Sequence, residues 1–403
     1  MFGNAFLDGK TFRYELEPEQ PLPFKPLDST DGESGHVGSV YRIAIPSSHF
    51  GEPNVDGYHE VALKPLFMPG GPEKDMFFER EREMLEKMRE LQHPHLIQAH
   101  LTYRRGKDMG FMFPYAHGGN LASFWENHNP FGDPDSKPSL SFVSWALIQM
   151  KGLAHGLKEL HDAKMRHGDI KPQNILFFER TEPRRKDLVI ADVGLAKYYA
   201  LYTHRWDYPR AVQFGSRRYE PPDVQRQTVP EGEAREVPHS RKYDLWSLGC
   251  VLLEFLIWLD SGSKGFMAFL SASGANRIGA RFWQGQSVRQ EIIESMSNLE
   301  HRLREKGQEY RALTEVLDLV QKRLLVEVDE RADSASLFNE IEEIESRFSS
   351  GFTDIPSFPP QFPLRGGNDA DDTAPNPAAP PRNVGVTLDS VSQGILTQMI
   401  YST

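Results

Sequence analysis

The sequence has almost no cysteine, because Cys250 is the single one among 403 residues. One cysteine cannot form an intrachain disulfide, which excludes the small disulfide-stabilised secreted domains and favours a reducing compartment. Cys250 lies within the apolar stretch 248–253, so a buried structural thiol is favoured over a nucleophile. We therefore expect a cytoplasmic protein, with the nucleus as the alternative.

The sequence also lacks a long hydrophobic run and an excess of positive charge. Its longest apolar run, residues 250–259, is interrupted by Glu254 and is too short to cross a bilayer. The N-terminus does not have the layout of a signal peptide, so we expect no membrane insertion. The formal net charge of −11 argues against nonspecific nucleic-acid binding and permits a basic peptide substrate.

The patterns that are present divide the chain into regions. Residues 1–30 are broken by prolines, and residues 356–383 are rich in Pro, Gly, Asp, Asn and Ala, a composition that cannot form a packed core. The more apolar residues 384–400 are either part of a disordered tail or a docking segment. Between the two ends, the periodicities predict strands at 40–45, 60–64 and 111–115, helices at 77–91 and 146–160, a hairpin of 175–178 with 188–191, and helices after 241.

The most informative segment is residues 167–174, which read His-Gly-Asp-Ile-Lys-Pro-Gln-Asn. Asp169 could accept a proton from a hydroxyl, Lys171 could neutralise phosphoryl charge, and Asn174 could hold Mg²⁺. Phosphoryl transfer needs these roles close together, because its catalysis consists mostly of positioning and electrostatics. The octet resembles the catalytic loop of eukaryotic protein kinases, and further elements of that family follow in order. The long loops and the tail are similar to those of kinase-like proteins of filamentous fungi.

The resemblance implies a set of ATP-binding residues in the first third of the chain. Residues 32–40 are similar to the glycine-rich nucleotide loop, and Val-Ala-Leu-Lys at 61–64 is similar to the strand whose lysine binds the ATP phosphates. Glu81 is the expected helix partner of that lysine, with Glu83 as the alternative. Residues 113–116 resemble the hinge that contacts adenine. The implied ATP-binding residues are Gly35, Gly38, Val40, Ala62, Lys64, Glu81, Phe113, Pro114 and Ala116.

Further motifs imply the metal and substrate positions. Asp192 begins an Asp-Val-Gly element similar to D-F-G and, with Asn174, is the implied Mg²⁺ ligand. Residues 215–223 resemble the segment that binds the substrate peptide, in which Ser216 would bridge Asp169 and Lys171. The resemblance also implies two structural roles: Asp223 would pair with Arg331, and Asp244 would brace the catalytic loop.

The sequence departs from the family pattern at Glu33, Gly168, Val193 and Asp223. Gly168 replaces an arginine that commonly pairs with a phosphate on the activation loop. This replacement implies activity without that phosphate, for which Thr203 and Tyr208 are the nearest candidate acceptors. None of the departures removes a group that the reaction requires.

The resemblance implies an α+β protein with the two-lobed protein kinase fold, a β-rich N-lobe and a mainly helical C-lobe. We divide the chain into an N-terminal extension (1–30), the N-lobe (31–115), the C-lobe (116–347) and a largely disordered tail (348–403). The implied function is a Ser/Thr protein kinase that uses ATP and Mg²⁺ to phosphorylate hydroxyls of protein substrates. The alternatives are a catalytically weak or inactive scaffold on the same fold and, less favoured, a small-molecule kinase. The sequence does not reveal the oligomeric state.

Overall fold

A computed structural model describes residues 12–27, 33–35, 38–50, 57–66, 71–131, 138–180, 185–192, 216–223, 240–275 and 280–352. Within this part of the chain there are two compact units. The first holds the described residues up to Arg82 together with Ala99–Tyr115, and the second holds Glu83–Gln98 and the described residues from Ala116 onward. The sequence predictions for Val193, for the activation-loop hydroxyls and for the tail beyond residue 352 lie outside the described residues.

The first unit is built on one mixed sheet with the strand order β1–β6–β7–β5–β4–β2, in which β3 also pairs with β4. All of its pairings are antiparallel except that of β1 with β6. The strands are β1 (Arg13–Leu16), β2 (Lys25–Pro26), β3 (Glu33–Gly35), β4 (Gly38–Pro46), β5 (Tyr58–Pro65), β6 (Leu101–Arg105) and β7 (Asp108–Pro114). The N-terminal extension predicted at 1–30 therefore contributes two strands to this sheet.

The two faces of the sheet carry different side chains, because successive residues of a strand point to opposite sides. One face buries an apolar cluster made of Leu22, Phe24, Tyr41, Ile43, Ile45, Val61, Leu63, Leu101, Tyr103 and Met112. Residues one position away in the strands, such as Phe111 and Arg104, contact helix α1 (Pro72–Leu91) instead. The sheet thus has an apolar core on one side and a helix on the other.

Helix α1 begins at Pro72, whereas the sequence pattern predicts a start at Phe77. Its first turn carries charged residues without an apolar signal, and a proline at a helix start is compatible with its fixed φ angle. The buried positions of α1 recur at helical spacing: Lys74, Phe77, Phe78, Glu81, Arg82, Leu85 and Met88. Three charged residues, Lys74, Glu81 and Arg82, therefore lie on its packed face.

The second unit is mainly helical, with two short hairpins. Ser139 caps the N-terminus of the helix that leads to the catalytic loop, because its hydroxyl accepts from the Phe142 amide at 3.3 Å. The elements of this unit are α2 (Leu121–Asn127), α3 (Leu140–Asp162), β8 (Ile175–Arg180), β9 (Arg185–Ile190), α4 (Lys242–Ala272), β10 (Trp283–Gln284), β11 (Ser287–Val288), α5 (Gln290–Lys306), α6 (Arg311–Leu319), a π-helical turn (Val320–Leu324) and α7 (Ser334–Gly351).

Helix α4 forms the core of the second unit. Trp246, Phe255 and Trp258 on this helix are fully buried, and Phe255 packs against Trp125 of α2 with ring centroids 5.7 Å apart. Among the described residues α4 is the one helix long and apolar enough to cross a membrane, and 94% of its apolar window is buried inside the protein. The buried central helix of a folded unit can have the same length and apolar composition as a helix that spans a membrane. The helix kinks at Gly262, which has a φ of 63° and a ψ of −171°.

Candidate active site

The catalytic-loop residues follow helix α3 and are held together by their own side chains. The Lys171 ammonium lies 2.7 Å from Asp169 Oδ2, and the Asn174 amide donates to the same oxygen at 3.0 Å and to the Asp169 carbonyl at 2.8 Å. Lys171 and Asn174 are buried, while Asp169 is half-buried. The structure therefore brings together an acid, a cation and an amide, as the spacing of the octet implies. The Asp169 carboxylate is thus held in place by two side-chain donors while part of it remains accessible to solvent.

His167 orients the loop through both of its ring nitrogens. Its Nδ1 accepts from the Asp169 amide at 3.1 Å, and its Nε2 lies 2.9 Å from the Ala191 carbonyl. A carbonyl can only accept, so Nε2 is the donor in this bond while Nδ1 accepts from the amide. The imidazole therefore connects the residue before Asp192 to the backbone of Asp169.

Asp244, at the start of α4, braces the same loop. Its carboxylate accepts from the backbone amides of His167 at 2.9 Å and Gly168 at 2.7 Å, and from His161 Nε2 at 3.0 Å. Burial alone would raise the pKa of Asp244, but the His161 hydrogen bond, the two histidines and the Gly168 amide outweigh it and lower the pKa. This arrangement confirms the predicted bracing role of Asp244.

Gly168 has a φ of 83°, which L-residues rarely adopt. The arginine that the family commonly has at this position would strain the backbone here. The departure from the family motif thus has a local structural reason, because the chain turns through Gly168 while its amide donates to Asp244.

Asp192 is positioned by the backbone around it. The Ile190 amide donates to the His95 carbonyl, the Ile97 amide donates to the Ile190 carbonyl, and the Ala191 amide donates to the Asn174 carbonyl, at 2.8–2.9 Å. Asp192 itself is exposed and has a φ of 62°, a conformation that aspartate tolerates better than most residues. Ala191, the residue before Asp192, is therefore hydrogen-bonded through its backbone to Asn174, the other implied metal ligand.

The donor chemistry of Asn174 and Asp192 fits Mg²⁺. The Asn174 NH₂ group donates to Asp169, which turns its amide oxygen away from that carboxylate. An amide oxygen and an exposed carboxylate are the hard oxygen ligands that Mg²⁺ prefers. Within the described part of the chain, a cluster of three His, Cys, Asp or Glu side chains suited to a metal is not found. A protein contribution of one or two ligands suits a Mg²⁺ that keeps waters and phosphate oxygens.

In the first unit, Lys64 on β5 lies 4.0 Å from the carboxylate of Glu81 on α1. Both side chains are buried, whereas the alternative partner, Glu83, is exposed. The structure therefore favours Glu81, as the sequence pattern does. A lysine ammonium has several N–H donors, so at this distance from a carboxylate it can also bind an anionic partner such as a phosphate.

The other implied ATP-binding residues lie in or next to strands of the sheet. Gly35 and Gly38 face each other in the β3–β4 pairing, and Ala62 pairs with Phe113 in β5 and β7. Strand β7 ends at Pro114, one residue before the chain leaves the first unit, and Ala116 is the first residue after its return to the second. The two residues between the glycines and the side chains of residues 33–39, including that of Glu33, lie outside the described part of the structure.

The segment predicted to bind the substrate peptide is anchored by ion pairs. Arg331 is buried and donates to Asp223 at 2.9 Å, to the Lys242 carbonyl at 2.9 Å and to the Val326 carbonyl at 3.0 Å. The predicted pair of Asp223 with Arg331 is confirmed. The side chain of Ser216 lies outside the described residues, so its bridge to Asp169 and Lys171 stays a prediction.

A second anchor of this segment was missed by the sequence reasoning. The carboxylate of Glu254, fully buried in α4, accepts from the Arg218 guanidinium at 3.2 Å and from the Tyr219 hydroxyl at 2.9 Å. Arg218 also stacks on Phe282 at 4.5 Å and donates to Ser273 at 3.0 Å. Burial raises the pKa of Glu254, although Arg218 and Tyr219 favour the charged form. The one sequence signal was a glutamate that interrupts an apolar helix.

Glu220 lies beside the catalytic loop in the same segment. Its carboxylate is 3.3 Å from Arg281, and its carbonyl accepts from the Trp283 indole at 2.7 Å. Burial raises the pKa of Glu220, Arg281 and Arg217 lower it, and the charge of Asp169 raises it again. The charge of Asp169 therefore acts on this segment as well as on the catalytic loop.

Comparison with known proteins agrees with this geometry. The model of the protein kinase domain family matches residues 54–339. Aurora/IPL1-related protein kinase 2 of Caenorhabditis elegans is 27% identical over 227 residues, which are 55% of this chain and 60% of that protein. Aurora kinase B of Xenopus tropicalis is 29% identical over 223 residues, 55% of this chain and 51% of that protein. Serine/threonine-protein kinase cds1 of Schizosaccharomyces pombe is 29% identical over 204 residues, 50% of this chain and 39% of that protein.

The chain therefore spans 39–60% of the length of these relatives. The matched region includes the catalytic loop, Lys64, Glu81 and Asp192, while the glycine loop at residues 32–40 lies before the start of the family match.

Proposed function

Because the chain belongs to the protein kinase domain family, we propose that it is an active Ser/Thr protein kinase that transfers the γ-phosphoryl group of ATP to hydroxyls of protein substrates. The observation that carries the proposal is the cluster of Asp169, Lys171 and Asn174, whose side chains meet within 3.0 Å. The printed names of its relatives, among them a serine/threonine-protein kinase, support the choice of hydroxyl.

Each side chain has a definite task in this proposal. Asp169 accepts the proton of the attacking hydroxyl or orients it, and Lys171 neutralises charge on the transferred phosphoryl group. Lys64, held by Glu81, binds the ATP phosphates. Asn174 and Asp192 would hold Mg²⁺, which when bound neutralises phosphate charge.

The test compares the parent protein with the Asp169→Asn variant, using labelled Mg-ATP and a generic basic protein. We expect transfer to fall by about 10²- to 10⁴-fold while Mg-ATP affinity measured by calorimetry stays the same, because the amide cannot accept the proton. Hydrolysis of the labelled product should release phosphoserine or phosphothreonine. The control is Asp162→Asn at the exposed end of α3, which should transfer like the parent.

Two outcomes would contradict the proposal. Equal transfer by the Asp169→Asn variant would exclude Asp169 as the base. A parent that binds Mg-ATP without any transfer would favour the scaffold on a kinase fold.

A further inference from the structure

The N-terminal strand β1 adds an edge to the sheet of the first unit. It runs parallel to β6, with Glu15 opposite Arg104, and the Thr102 amide donates to the Phe12 carbonyl at 2.8 Å. Tyr14 and Leu16 pack against the apolar cluster on one face of the sheet. The alternation of a strand then puts Glu15 on the other face, where helix α1 lies.

On that face Glu15 joins the strand to the helix. Its carboxylate lies 2.8 Å from Arg82 of α1 and 3.5 Å from Arg104 of β6. Arg104 also pairs with Asp75 at 2.5 Å and with Glu79 at 2.7 Å, both on α1, and Arg82 pairs with Glu79. The Arg82 side chain is only 8% exposed, so the loss of a carboxylate partner costs it more than it would cost a surface arginine.

Arg82 directly follows Glu81, the partner of Lys64. A helix moves as a rigid unit over one turn, so a displacement at Arg82 also displaces Glu81. The Lys64 ammonium and the Glu81 carboxylate are 4.0 Å apart, beyond direct hydrogen-bond distance, so a rotation of α1 that separates them further would weaken their attraction. The ion pair of Glu15 with Arg82 therefore also influences the distance between Glu81 and Lys64.

We propose that Glu15 is a positioning residue for the Lys64–Glu81 pair, acting through Arg82 and helix α1. The N-terminal strand β1 thus contributes to nucleotide binding by positioning residues that bind the ATP phosphates. This inference rests on the proposed kinase function, and its test separates the two.

The test uses Glu15→Gln, which removes the charge and keeps the shape. We expect kcat/KM for Mg-ATP to fall about fivefold, the effect of one ion pair of moderate strength, because Glu79 still holds Arg82. The Glu15→Asp variant keeps the charge and should recover most of the activity. Glu17→Gln, an exposed glutamate just beyond the strand, is the matched control and should behave as the parent. Glu15 is 58% exposed, so none of these variants should unfold the protein.

A double variant shows whether Glu15 acts through Glu81. If it does, adding Glu15→Gln to Glu81→Gln should cause no further loss of kcat/KM, because the pair is already broken. A further fivefold loss would overturn the proposal, as would a Glu15→Gln variant with the parent's kcat/KM.

A measurement that does not depend on activity is the Mg-ATP affinity, determined by calorimetry on the parent, Glu15→Gln, Glu81→Gln and the double variant. The affinity should fall in Glu15→Gln and not fall again in the double variant. If the parent transferred no phosphate, the proposed function would fail, while the affinities would still decide the role of Glu15. Affinities that are equal in the parent and in Glu15→Gln would overturn that role.

Discussion

At the scale of the residue, Asp244 shows how much of the site depends on one buried carboxylate. Replacing it by Asn keeps one oxygen but puts an NH₂ group against donors of His161, His167 or Gly168. We expect a loss of about 1–3 kcal/mol in the free energy of unfolding, the usual cost of an unmatched buried polar group. We also expect a lower kcat, because Asp169 is the next residue after Gly168 and would shift when the Gly168 amide loses its acceptor. Urea unfolding and steady-state kinetics measure the two effects.

The pH dependence of this loss has a definite sign. The pKa of Asp244 is lower in the folded protein than its ordinary value, so the stabilisation is fully present above about pH 4 and is lost as the pH falls through the folded pKa. The difference in stability between the parent and Asp244→Asn should therefore be constant at neutral pH and shrink in acid. Asp318→Asn, in an exposed pair with Lys322, should show little difference at any pH. A gap that stays constant down to pH 3 would contradict the assignment.

Residues close together in the sequence were predictable, and distant partners were less so. The cluster of Asp169, Lys171 and Asn174 lies within six residues, so the spacing alone implies their contact. Glu81 could be chosen because helical spacing puts it on the packed face of α1. Arg218 and Glu254 are separated by 36 residues, and local patterns do not show such a pair.

At the scale of the element, apolar runs located some strands, while β6 (Leu101–Arg105), the strand partners within the first unit and the strand ends were not predicted. The strands predicted at 40–45 and 60–64 are β4 and β5, each extended by one or two residues at its ends. The parallel pairing of β1 with β6 joins segments far apart in the chain, and periodicity carries no information on such partners. A charged first turn likewise hid the start of α1.

The kink of α4 at Gly262 leads to a prediction about the stability of the protein. Gly262 has dihedral angles that only glycine adopts readily, and an added Cβ would lie 2.3 Å from Asn129 Oδ1 and 3.0 Å from a ring carbon of Phe131. Gly262→Ala should lower the free energy of unfolding by about 3 kcal/mol through strain and overlap. Gly285→Ala has a similar φ with open space around it and should cost about 1 kcal/mol.

Urea unfolding of both alanine variants separates backbone strain from steric overlap, because only Gly262 has both. Equal losses in the two variants would mean that the helix relaxes around the added methyl group. Helix α4 carries both Asp244 and Glu254. A shift of this helix in Gly262→Ala would therefore displace the contacts of the catalytic loop and of the segment predicted to bind substrate together.

At the scale of the molecule, the proposed chemistry is divided between two compact units. Lys64 and Glu81 belong to the first, and Asp169, Asn174 and Asp192 to the second. The segment predicted to bind substrate is fixed to the second unit by Asp223 and Arg331 and by Arg218 and Glu254. These pairs anchor the described part of the segment through the protein's own side chains, without a phosphate on the chain.

Activity should therefore not require phosphorylation of the activation loop. A phosphate there commonly acts by pairing with an arginine in the catalytic loop, and this chain has Gly168 at that position with a φ of 83°. Phosphatase-treated protein, shown by mass spectrometry to carry no phosphate, should transfer label as fast as untreated protein. A variant with Thr203→Ala and Tyr208→Phe should do the same.

The Gly168→Arg variant is the informative companion. If the absence of the arginine only removed the response to activation-loop phosphorylation, restoring the arginine would make activity depend on that phosphate. The positive φ predicts instead that the arginine strains the turn between His167 and Asp169, so kcat should fall whether or not phosphate is present. Loss of all activity on dephosphorylation of the parent, with recovery after rephosphorylation, would show that another cation has taken the place of the arginine.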